Sequence, residues 1–163
     1  MLRLTLAWLH LVALGIGLWA VFARGEALKQ AARELPRTDA LQRAFKADAH
    51  WGAAAVLWLV TGLWRYLGST EKSTAYYNAN HIFLTKMTLF VAVLALEVWP
   101  MMTLIRWRAA LGRAGSQSAA GSVAMVDAEK AKKAARISYI EGGIVTVMIL
   151  TAVAMARGYG ARG

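Results

Sequence analysis

The sequence predicts an all-α integral membrane protein, a four-transmembrane-helix antiparallel bundle that forms a single membrane domain over residues 1–163. Three observations predict it. Apolar residues make up 58% of the chain and the mean hydropathy is +0.43, well above the composition of ordinary soluble domains. Four apolar runs, at 4–22, 51–67, 82–105 and 137–156, approach or reach the roughly 20 residues that a helix needs to cross a hydrocarbon layer of about 30 Å. The net charge of +10 is concentrated between runs one and two and between runs three and four, where positive charge has a topological explanation. A nucleic-acid partner is therefore not expected.

In order along the chain, Arg3 followed by an apolar run resembles a secretory signal, but the run from 4 to 22 is long enough to remain as a span. The segment 24–48 holds Arg24, Lys29, Arg33, Arg37, Arg43 and Lys46. Pro36 with Thr38 and Asp39 marks a helix start, and that helix continues through ALQRAFKADAHWG into the run at 51–67, the shortest of the four. The connection 68–80 carries only Lys72, with Arg65 at the helix end before it. The segment 106–136 carries seven basic residues. Connections one and three are thus placed in the cytoplasm, with both termini on the periplasmic side of a bacterial inner membrane. Residues 112–122 are rich in Gly, Ser and Ala and read as a flexible linker. Helical composition resumes at Asp127. Trp8, Trp51, Trp64, Tyr66, Tyr76, Tyr77, Trp99 and Trp107 fall near span ends, as an interfacial aromatic belt does.

The run at 82–105 contains two charges, Lys86 and Glu97. Eleven positions are close to three helical turns, so both lie on one face. Ionisable residues at such depth point toward function or toward helix pairing. His10 on the first helix is followed by the small residues Ala13, Gly17 and Ala20 at helical spacing, and antiparallel threading places it at the depth of Lys86. His81 and Arg65 lie near the same level. A bundle histidine is an ordinary axial ligand for haem iron, and basic residues near the membrane surface suit haem propionates. His10 is the expected iron ligand, with His81 the alternative second ligand and Lys86 a second ligand or proton donor. Toward the other end, Glu97 and Glu141, with His50 at the mouth, suit a proton path or an ion pair with a basic residue such as Arg106. Pro100 is expected to kink its helix below Glu97. Met148 and Met155 read as packing residues on the Glu141 side.

No cysteine is present, which excludes disulfides, thiolate metal sites, iron–sulfur clusters and c-type haem attachment. No nucleophile–base pair or phosphate loop is found.

The segments LAWLHLVALGIGLWAVFARG, FKADAHWGAAAVLWLVTGLWR, EKSTAYYNANHIFLTKMTLFVAVLALEVWPMMTLIRWR, ARISYIEG and AMARG resemble an uncharacterised bacterial family of four-helix membrane proteins known only as a domain of unknown function. More distantly the layout is similar to HemJ-type protoporphyrinogen oxidases and copper-resistance D-like membrane proteins. The resemblance matches the HemJ-type histidine to WLH at His10, the lysine to FLTK at Lys86 and the acid to YIEG at Glu141. It implies b-type haem and an oxidoreductase with essential histidine and lysine. The Leu-Pro-Arg and Tyr-His elements of that family are replaced here by FARGEAL, and the Asn before the acid by Ile140, so haem carries over more readily than the porphyrinogen reaction.

The expectation is therefore a membrane protein that binds haem b through His10, His81, Lys86 and Arg65 and acts in electron transfer or as an oxidoreductase, with Lys86, Glu97 and Glu141 as proton-handling groups. The alternative is a non-catalytic accessory or structural subunit, in contact with the lipid bilayer and with other membrane subunits or further copies of itself. An ion or metal carrier is a third possibility.

Overall fold

The computed structural model describes residues 1–33, 38–69, 72–113 and 126–160, and every described element is a helix: α1 (Leu2–Arg33), α2 (Thr38–Leu67), the short α3 (Thr74–Ala79), α4 (His81–Arg113) and α5 (Ala128–Ala156). At 1.5 Å per residue the four long helices are about 44 to 50 Å each, well beyond the roughly 30 Å of a hydrocarbon core. The surplus lies at the end that carries the α1–α2 and α4–α5 connections. We call this the basic end, and the opposite one, with the chain termini and α3, the terminal end.

Helix α1 packs along both α2 and α5, and α4 packs along α5. Side chains close the circuit between α2 and α4: Trp58 meets Phe90 edge-on at 5.6 Å, and Arg108 donates to the Phe45 carbonyl at 3.0 Å. Three helices, Leu2–Arg33, His81–Arg113 and Ala128–Ala156, are long and apolar enough to cross a membrane. Helix α2 is not among them. Its first turns, TDALQRAFKADAH, are polar, and its apolar part covers only 51–67.

The outward faces are more apolar than parts of the interior. Trp19, Val56, Val60, Leu63, Val91, Val98 and Leu150 are all exposed, the pattern of a bundle solvated by lipid. Inside, small side chains let the backbones approach. The alanines at 27, 31, 40, 44, 131, 134 and 135 pack with Leu28, Leu41, Leu104 and Trp107 at the basic end. Gly17 lies under the Trp51 ring, where a Cβ would come within 3.3 Å. The ring of Phe22 occupies the notch over Gly142, where a Cβ would be 2.6 Å from it.

Several sequence-based boundaries move. Helix α1 continues past the expected end near residue 22 to Arg33, while α2 begins at Thr38, where the sequence predicts a helix start. Helix α4 runs through Pro100, which is buried, and on to Arg113, so Gly112 belongs to the helix and not to a linker. Pro36 and residues 114–122 of the expected linker lie outside the described residues. Helix α5 starts as expected, with the Asp127 carboxylate accepting from the Glu129 and Lys130 amides, which supplies acceptors for two of the free amides of the first turn.

At the terminal end, Asn80 is wholly buried and holds two elements together. Its Oδ1 accepts from the amides of Ile82 and Phe83 at the start of α4, and its Nδ2 donates to the Tyr159 carbonyl. Gly160, at φ +78°, lets the C-terminal turn approach, since a Cβ there would lie 2.7 Å from Asn80 Oδ1. Asn80→Ala removes both the helix cap and the tie to the C-terminal turn, so it is expected to lower unfolding free energy by about 1–2 kcal/mol. Equilibrium unfolding in mixed micelles measures this, and an unchanged midpoint would contradict it.

Candidate functional site

Two polar levels lie inside the bundle. The first sits where the apolar runs meet the basic-end extension and is centred on Arg24, which is 0% exposed. The reason is its register. Ala20, Val21, Arg24, Ala27, Leu28 and Ala31 are all buried residues of α1, so Arg24 occupies a position of the packed stripe. A guanidinium there requires partners on every side, and α2, α4 and α5 each provide them.

All five N–H groups of Arg24 are used. Nε donates to Ser138 Oγ at 3.0 Å, Nη1 to Asp48 Oδ1 at 3.0 Å and Glu97 Oε1 at 2.7 Å, and Nη2 to Glu97 Oε2 at 2.8 Å and Glu141 Oε2 at 2.7 Å. The Glu97 contact is a two-pronged fork that matches the planar guanidinium to a planar carboxylate, the strongest geometry available to such a pair. Ser138 passes its own proton to the Ala134 carbonyl at 3.0 Å. Every long helix therefore contributes one polar group or more to a single side chain.

Glu141 and Glu97 thus come together, through Arg24 and not through Arg106. Arg106 is exposed. It lies nine residues from Glu97, half a turn out of phase on the same helix, so it faces away. His50 is exposed, with Nδ1 on the Lys46 carbonyl and its ring against Trp19. Met148 is buried against Ala13 and Trp58, while Met155 is only partly buried.

The second level is in the terminal half. His10 Nδ1 lies 2.9 Å from Thr61 Oγ1, and that hydroxyl also lies 2.7 Å from the Leu57 carbonyl and 3.1 Å from the Trp58 carbonyl. A hydroxyl has one proton, and the short contact to a carbonyl claims it. His10 is therefore the donor to Thr61, through Nδ1–H. Gly62 makes room for the ring, since a Cβ there would be 3.2 Å from His10 Cε1. Trp58 lies beside the ring at 5.6 Å, and its buried Nε1–H has no acceptor among the described residues. Lys86 and Arg65 lie within electrostatic reach of His10. Lys86 is half-buried and makes no ion pair with a described residue. His81 is the exposed first residue of α4.

The two levels are separated by apolar packing. A cavity of about 10 Å³ lies between α1, α2 and α5, lined by Ala13, Gly17, Trp51, Ala54, Trp58 and Val145 among others. It is apolar and no larger than a water molecule requires, so it links neither level to the other. Among the described residues no three His, Cys, Asp or Glu side chains assemble as a metal-holding set.

Sequence reasoning placed His10, Thr61's partner, at the right level but missed Arg24, which was counted with the topological charges. The signal was available: Arg24 continues a buried stripe at i+3 and i+4 spacing with Ala20, Val21, Ala27 and Leu28.

Arg24→Ala leaves three carboxylates without their donor and is expected to cost about 3–5 kcal/mol of stability, the range for breaking a buried ion pair from one side. Arg24→Lys is expected to recover less than half of this, because an ammonium has three donors and no planar fork. Unfolding midpoints of the two variants beside wild type check both statements, and a fully restored Lys variant would contradict them.

Residues 2–160 match the family model described as Predicted membrane protein (DUF2214), and no curated protein or solved structure matches the chain.

Proposed function

The chain belongs to the DUF2214 family of predicted membrane proteins, and from that premise we propose that it binds b-type haem in its terminal half and serves one-electron transfer in the membrane. The observation that carries this proposal is the state of His10. Thr61 fixes its Nδ1–H, which is how a metal-ligating histidine is ordinarily oriented by a second group. Around it the donors outnumber the acceptors. Trp58 Nε1–H is buried without a partner and Lys86 has no counterion among the described residues, so an incoming group that carries carboxylates would satisfy groups the protein leaves open.

In this proposal His10 would hold the iron, with Lys86 or His81 as second ligand or Lys86 as a proton donor, and Arg65 would face the propionates. The distant HemJ-type resemblance, read from His10, Lys86 and Glu141, is part of this proposal, and no curated match accompanies it. Haem supplies a one-electron iron couple, and the chain's own contribution is to orient one imidazole and to neutralise the acids. Helix α2 is proposed as the fourth span, because it is as long as its neighbours and packs along α1. Both termini then lie on one side, and the positive-inside rule assigns the basic end to the cytoplasm.

A specific observation favours a second proposal, an accessory subunit without a cofactor. The cavity near His10 is only about 10 Å³, so a macrocycle does not fit inside the described bundle, and any such group would meet His10 at the surface of the helices. An accessory subunit would use His10 and Thr61 only to join α1 to α2.

A reduced-minus-oxidised optical spectrum of detergent-purified protein, expressed with haem supplied, separates the two. The electron-transfer proposal predicts a b-type band that is lost in His10→Ala and retained in His50→Ala. A colourless wild type would overturn it and leave the accessory subunit standing.

A further inference from the structure

The network around Arg24 is saturated on the guanidinium side and incomplete on the carboxylate side. Glu141 is 0% exposed. Its Oε2 accepts from Arg24, but Oε1 is buried with no hydrogen-bond partner among the described residues. The Glu97 and Glu141 carboxylates both accept from Arg24 Nη2, so the two acids meet at one nitrogen.

The charges do not balance either. Three carboxylates face the cluster: Asp48 from α2, Glu97 from α4 and Glu141 from α5. Two guanidinium groups answer them, Arg24 from α1 and Arg108 from α4, whose Nη2 is 4.0 Å from Asp48 Oδ2. Ser138, also from α5, is neutral. Each carboxylate has a guanidinium within ion-pair distance, but three negative charges share two positive ones, which leaves the cluster with a net charge of −1 among the described residues. A buried charge of that kind is normally removed by a proton. A metal ion does not fit the position, since the guanidinium already occupies the space between the carboxylates and no metal-holding set is formed.

We propose that Glu141 and Glu97 form a proton-binding site, holding one proton between them at Oε1 of Glu141. Uptake forms one O–H bond on a carboxyl and release returns the proton to water, with no electron moved. The route outward runs through the partly exposed carboxyls: Glu97 is 16% and Asp48 13% exposed, whereas Glu141 has no exposure. The helix-joining network at the basic end is thereby also a titratable one, independent of whatever His10 binds.

Infrared spectroscopy of the full-length protein in detergent tests this directly, because a protonated carboxylic acid has a carbonyl stretch that shifts down in D2O. The wild type at neutral pH is expected to show such a band. It should vanish in Glu141→Gln and in Glu97→Gln, since either change leaves two carboxylates for the two guanidinium groups, and persist in Glu26→Gln. The described acids outside the cluster, Glu26, Asp39, Asp127 and Glu129, are exposed, so a wild-type band places the proton in the cluster even where a variant fails to fold, and the two Gln variants assign it to Glu141 and Glu97. A wild type without the band, or a band that survives in both Gln variants, would overturn the proposal.

Discussion

The fully buried guanidinium of Arg24 is the constraint on which the bundle depends. In a membrane the helices gain little from burying apolar side chains against one another, because lipid tails are just as apolar. Association then rests on close packing and on polar contacts. The alanine and glycine notches supply the first, and Arg24 supplies the second, with five donors distributed over partners from three other helices. Such a group is tolerable only when every donor is used, since an isolated charge in a low-dielectric interior costs many times what a single hydrogen bond returns. The same requirement fixes register. A shift of any helix by one residue would rotate its polar group by about 100° away from the guanidinium.

The two polar levels differ in kind. At the basic end the donors are exhausted and acceptor capacity is left over on Glu141. In the terminal half donors are left over on Trp58 and Lys86 among the described residues. Apolar packing between Ala13, Trp51, Trp58 and Val145 separates them. Nothing in the packing requires the two levels to act together.

Much of the fold was legible because it rests on local rules. Apolar run length gave the helices, helical composition marked the start of α5 at Asp127, and the facing of Lys86 and Glu97 followed from spacing alone. The ends of α1 and α4 run further at the basic end than apolar run length shows, because an extension such as Ala27 to Arg33 carries charge on one face while packing alanine on the other. Hydropathy sums over both faces and sees only a polar segment. The role of Arg24 was hidden for the same reason. Its charge fits the positive-inside pattern, and only its phase relative to Ala20, Ala27 and Leu28 shows that it points inward. The partnership of Asp48, Glu97 and Glu141 is a property of how four helices meet, and no single stretch contains it.

The most direct test of the central claim compares the unfolding free energy of Arg24→Met with that of the combined Arg24→Met, Glu97→Leu, Glu141→Leu variant. If Arg24 holds the helices by satisfying buried carboxylates, the single change should be destabilising by several kcal/mol while the combined change, which leaves no orphaned charge among the three, should recover most of that loss. A single variant as stable as wild type, or a combined variant no better than the single one, would contradict the account.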